Sequence, residues 1–194
     1  MTLIRVNPAS IRSYGTVAQS EFDTIATELS RLADDVVSVR YFGPNAVSFK
    51  TECGRLAEEF GRTLHRSMGA MAEAVRVSTS NIAASLGGAA ISIQLADKPV
   101  SAPAPTVVDY VDVDTAALDA VIPVVDRHFA SITESLQRHL GALQATDWEG
   151  NAKQHAVSAV QSLTSSASST CEEARTHLTT SIRTQIDNVV LADA

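Results

Sequence analysis

Tyr41-Phe42-Gly43-Pro44-Asn45-Ala46 and Asp147-Trp148-Glu149-Gly150-Asn151-Ala152 are two versions of one turn. Phe42 and Trp148, Asn45 and Asn151, and Ala46 and Ala152 each stand 106 positions apart (42 to 148, 45 to 151, 46 to 152). Each turn joins two long segments of helical periodicity, so the chain reads as a helical hairpin written twice. A fixed internal period of this kind sets the architecture before any single residue is interpreted.

Working outward from the first turn, Ile11, Tyr14, Ala18, Phe22, Ile25, Leu29, Leu32, Val36 and Val39 recur at spacings of three and four. That is one apolar stripe on a helix of about thirty residues. Asn7-Pro8 supplies an N-cap followed by proline at the first helical position, where a missing N–H costs nothing. Gly43-Pro44 ends the stripe. A second stripe follows through Phe49, Cys53, Leu56, Phe60, Leu64, Met68, Met71, Val75, Ile82 and Leu86, with Gly87-Gly88 as its expected stop.

The second copy opens at Asp114, a cap candidate, and runs through Leu118, Val121, Val125, Phe129, Ile132, Leu136, Leu140 and Leu143. Pro123 either kinks this helix or moves its start later. After the second turn come Ala156, Val160, Leu163, Ala167, Ala174, Leu178, Ile182, Ile186 and Val189. Ser165-Ser166-Ala167-Ser168-Ser169 lowers helix propensity but keeps that seam narrow.

Between the copies, residues 89–113 contain Pro99, Pro103 and Pro105 and read as a linker, with extended pieces expected at 91–95 and 107–113. Fully extended, such a linker reaches up to roughly 85 Å. A hairpin of this length spans roughly 55–60 Å. The linker can therefore return the chain to the far end of hairpin one and allow head-to-tail docking. The expected fold is all-α: hairpins at 1–88 and 114–194 joined by the 89–113 linker into a four-helix bundle.

Composition excludes several classes. Hydrophobic residues make up 45% of the 194 but aromatic residues only 5%, which suits helices packed through small side chains. A net charge of −7 argues against nucleic acid and against an anionic membrane surface. No apolar run approaches the roughly 18 residues of a spanning helix, and the first residues lack a secretory signal pattern. Cys53 and Cys171 lie at different heights from their turns, too far apart for a disulfide, and read as small core residues.

Trp148-x-Gly150 at the bend of two amphipathic helices resembles the WXG family, the ESAT-like helical-hairpin proteins of type VII secretion in actinobacteria and other Gram-positive bacteria. Members typically pair as antiparallel hairpins into a four-helix bundle, and this chain resembles two such units fused. In the first copy Phe42 stands in place of the tryptophan and Gly43 follows it directly, a departure from the pattern. The resemblance also implies a Tyr-x-x-x-Asp/Glu export signal, whose spacing is met by Tyr110 and Asp114. The competing reading makes Asp114 a helix cap in an extended segment. The bland reading of Trp148 is a bundle plug, with Gly150 merely permitting the bend.

No catalytic constellation accompanies these turns. There is no Gly-x-Ser-x-Gly elbow, no phosphate-binding glycine loop after a strand and no inward Glu-x-x-His pair. Of the histidines (65, 128, 139, 155, 177), His177 forms an ordinary i,i+4 pair with Glu173. His155 falls where a 106-residue repeat places Phe49, which predicts partial burial near Trp148. The chain is read as non-enzymatic, without metal or cofactor. The resemblance implies a substrate or partner of type VII secretion, recognised near Trp148-Gly150, secreted without a classical signal peptide or cytoplasmic before export. Rival readings are a cytoplasmic adaptor for the helical leader of a toxin, pairing with another WXG-like chain, and a structural bundle. The stripes fit a monomer or a homodimer equally well.

Overall fold

The computed structural model describes residues 5–86, 90–95 and 100–192, the side chains of 84–86 excepted. Four long helices dominate: α1 (Pro8–Ser38), α2 (Pro44–Leu86), α3 (Thr115–Gln144) and α4 (Asn151–Ala192). The fold is an all-α four-helix bundle. Four two-residue strands punctuate it: β1 (Arg5–Val6), β2 (Tyr41–Phe42), β3 (Asp112–Val113) and β4 (Trp148–Glu149). The expected stop at Gly87-Gly88 lies outside the described residues.

Local chemistry accounts for the helix starts. Asn7 Oδ1 accepts the Ala9 and Ser10 amides, and Asp114 Oδ1 accepts those of Ala116 and Ala117 at 3.0 and 3.1 Å. Since α3 begins at Thr115, Pro123 lies inside it rather than at its start. The carbonyl four residues earlier therefore lacks a partner N–H at that position.

The contacts divide the chain into two compact units that cut across both hairpins. One takes Met1–Ile25, Leu64–Asp97 and Thr133–Ser169; the other takes Ala26–Thr63, Lys98–Ile132 and Thr170–Ala194. Within the first, Tyr14, Phe22, Ile25, Met71, Leu136, Leu143 and Trp148 are buried; within the second, Leu32, Phe60, Leu118, Phe129, Leu178 and Ile182. Each such side chain contributes about 1.5–3 kcal/mol of burial. The stripes on α1 are the α1 residues that pack inside, because a 3.6-residue period presents them on one face.

In the first unit β1 pairs antiparallel with β4, Arg5 opposite Glu149 and Val6 opposite Trp148. In the second, β2 pairs antiparallel with β3, Tyr41 opposite Val113 and Phe42 opposite Asp112. Within each unit, then, the start of one hairpin's first helix meets the turn of the other hairpin. Residue numbers rise on α1 as they fall on α3, so the two helices run antiparallel.

The described linker residues pack as straps, 91–95 on α1 and α2 in the first unit and 100–102 on α2 in the second. A Cβ on Gly15 would stand 3.2 Å from Ile91, one on Gly69 3.5 Å from Leu95, one on Gly61 2.7 Å from Val100, and one on Gly54 2.8 Å from Ala102. Polar ties fasten them: Ile91 N–H donates to Thr79 Oγ1, Gln94 N–H to Gln19 Oε1, and Ala102 N–H to Glu58 Oε1. Of the expected extended pieces, 91–95 carries no strand pairing, and within 107–113 only Asp112–Val113 does.

Candidate functional site

The two turns share one geometry. Gly43 has φ +121° and Gly150 φ +123°, backbone that a side chain with Cβ rarely adopts. Two residues before each glycine stands a buried aromatic: Tyr41, 5% exposed, and Trp148, 2% exposed. The residue between points outward in part, Phe42 half-buried and Glu149 exposed.

This geometry corrects the register of the repeat. The mate of Trp148 is Tyr41, not Phe42, and the offset is 107 (41 to 148, 43 to 150). The same offset carries Pro8 to Thr115 and Pro44 to Asn151, the helix starts, and Asn7 to Asp114, the caps. It also superposes Phe22 on Phe129, Ile25 on Ile132 and Leu29 on Leu136. The first copy thus carries Tyr41-x-Gly43, an aromatic-x-glycine turn with the spacing of the second. His155 is exposed, contrary to the burial expected from the 106-residue register. Under the true register Ala156, 1% exposed, takes the place of Phe49, and His155 takes that of exposed Ser48.

Around each turn the polar scaffolding is equivalent but not identical. Arg5 faces Asp147 at 3.9 Å beside the second turn, and Asp112 faces Arg40 at 3.1 Å beside the first, the same two positions with the charges exchanged. A lysine from the following helix closes each preceding helix end. Lys50 Nζ donates to Val39 O at 2.7 Å, and Lys153 Nζ to Gln144 O and Thr146 O at 2.9 and 2.7 Å. Both satisfy carbonyls that a helix C-terminus leaves open. The Lys50 ammonium also lies 5.0 Å from the Phe42 ring centre.

The named side chains differ in what a partner could touch. Trp148 is inside, its indole N–H without an acceptor. The accessible groups of the second turn are Glu149, Asn151 and the exposed half of Asp147. Tyr110 is 56% exposed and lies against Phe42, ring centres 6.2 Å apart. Asp114 is engaged as the α3 cap, and the segment between it and Tyr110 is not helical, so the Tyr-x-x-x-Asp spacing does not place the two on one helix face. Beside the first turn, Tyr41, Phe42, Val111, Val113 and Val189 line a cleft of about 270 Å³ whose wall holds no charged side chain.

Cys53 and Cys171 are both buried and neither is in a disulfide, and burial pushes the Cys53 thiol up to about 12, which disfavours it as a nucleophile. No cluster of three or more His, Cys, Asp or Glu side chains among the described residues is placed to hold a metal ion. No helix among them is long and apolar enough to cross a membrane. No protein-family model, curated protein or solved structure matches this chain.

Two of the histidines named from the sequence, His128 and His139 on α3, turn out to be buried, with partners the sequence reading did not foresee. His128 lies between Glu28 and Asp35 of α1, Nδ1 and Nε2 at 2.7 and 2.8 Å from their carboxylates. His139, wholly buried, has Nε2 2.7 Å from the Tyr14 hydroxyl. Both occupy stripe-flanking positions that periodicity alone reads as surface or as another apolar residue.

Proposed function

We propose that this chain is a non-enzymatic substrate or secretion partner of a type VII secretion system, a fused pair that stands in for a two-chain WXG complex. The observation that carries the reading is the twofold recurrence of one turn: a buried aromatic, a variable residue, then a glycine at φ near +120°. Both copies keep it, each between two long amphipathic helices and each set against the start of the other copy. The surface offered to the export machinery is the second turn, with Glu149 and Asn151 outward and Arg5 across the strand pair. Trp148 acts from beneath by setting that backbone rather than by direct contact.

The test is export in a bacterium with a working type VII system and in its isogenic secretion-null strain. The expected result is chain in the culture medium of the first and not the second, with Glu149→Arg reducing export while intracellular chain accumulates. Equal release from both strains would remove the reading.

The uncharged cleft beside the first turn favours a second reading, an adaptor that seats an apolar anchor of a toxin's helical leader. In that case the chain stays inside the cell and co-purifies with a larger protein whose binding is lost on Val189→Asp.

A further inference from the structure

The two buried histidines face α1 in opposite chemical settings. His128 has a carboxylate on each ring nitrogen. His139 has none. Its Nε2 meets the Tyr14 hydroxyl at 2.7 Å, and its Nδ1 is buried without a partner. The rings of Tyr14 and Phe22 pack on it with centroids at 5.7 and 4.8 Å. Among the described residues of all the elements packed on it, Glu21 of α1 is the charged group that bears on the ring, and its carboxylate is taken by Arg138 at 3.0 and 3.1 Å. Arg138 is in turn held by Ser135 and Glu134 of α3. In the first copy the position of His139 is filled by Leu32, so the fold needs only an apolar side chain here.

An imidazolium at this place would carry two N–H donors. The tyrosine oxygen can accept one; the other would be buried against carbon. A buried charge without a counter-charge or acceptor is among the most costly arrangements in a protein interior.

We propose that the Tyr14–His139 pair is an acid-sensitive latch: protonation of His139 releases the α1 segment around Tyr14 and Phe22 from α3 and loosens the packing around Trp148 while the helices persist. Trp148 belongs to the same compact unit and lies nine residues beyond His139, just past the end of α3 and past buried Leu143. The latch concerns the fold's response to pH and does not depend on the secretion reading.

Burial holds His139 down at about 4, against 6.5 for an ordinary imidazole, with Glu21 opposing weakly. The sign follows. A histidine held low when folded binds fewer protons than the open form, so the closed state is fully favoured above about 6.5 and loses ground as pH falls toward about 4. Across that window the opening equilibrium rises by on the order of 100-fold.

Trp148 is the chain's single tryptophan and reports the event directly. Its emission is followed from about pH 7.5 down to about pH 4 beside far-UV circular dichroism. The expected result is a red shift beginning below about 6.5 with helical signal retained. The shift should vanish in both His139→Leu, which copies Leu32, and His139→Gln, a neutral replacement of similar size. It should persist in His128→Gln. A wild-type chain without the shift, an equal shift in the His139 variants, or helix loss in step with the shift would each overturn the latch.

Discussion

At the scale of single residues, the informative comparison is Tyr41 with Trp148. Both fill the same buried niche two places before a glycine of positive φ. A niche that accepts either ring tolerates their exchange but not their loss. Trp148→Tyr should therefore cost little, whereas Trp148→Ala should cost about 3–5 kcal/mol through the cavity it leaves, read as the drop in denaturant midpoint. The glycines are the second test. Gly43→Ala and Gly150→Ala should each cost about 1–3 kcal/mol because the backbone there is strained for any residue with Cβ. At Gly43 the new methyl also meets Val111 Cγ2 at 3.1 Å. Equal stability of either variant with wild type in thermal melts would mean the turns relax to negative φ at no expense.

At the scale of elements, the stripes of α1 and α3 were legible because amphipathic periodicity is local, and so were the caps at Asn7 and Asp114. The strap was legible only as a linker of sufficient reach. Its bed was not, since Gly54, Gly61 and Gly69 read individually as poor helix formers rather than as one row on α2. Their role appears once Ala102, Val100 and Leu95 lie on them. Gly61→Val should displace Val100, cost about 1–3 kcal/mol as overpacking does, and speed cleavage within 100–111 under limited proteolysis. Gly141, which has open space around its missing Cβ, is the control: Gly141→Ala should leave the strap's cleavage rate unchanged. If both variants are cut alike, the strap is not held by the glycine row.

At the scale of the whole molecule, the two strand pairs, β1 with β4 and β2 with β3, join each copy to the other. A chain that completes its own helix stripes in this way has no need of a second copy. Light scattering should return the single-chain mass of 20.5 kDa at micromolar concentration, for wild type and for Trp148→Tyr. A stable dimer mass would instead mean that the copies complete each other between chains, with the same pairs formed in exchange.

The amino-acid sequence by itself determined what short-range periodicity encodes: four amphipathic helices, two glycine-centred reversals, their caps, and a proline-bearing segment long enough to return along a hairpin. Those features follow from side-chain spacing and backbone propensity within a few residues. Only the tertiary structure decided the register of the repeat. Aligning Phe42 with Trp148 by chemical likeness gave 106, while the shared φ of Gly43 and Gly150 and the burial of Tyr41 require 107. The single-residue difference matters because it moves Tyr41 into the Trp148 niche and puts His155 in solvent. It also decided the fate of His128 and His139. A histidine on α3 takes its character from residues of α1 about a hundred positions away, a carboxylate pair for one and a tyrosine hydroxyl for the other. Such partners are set by antiparallel packing of distant helices, which no local pattern specifies.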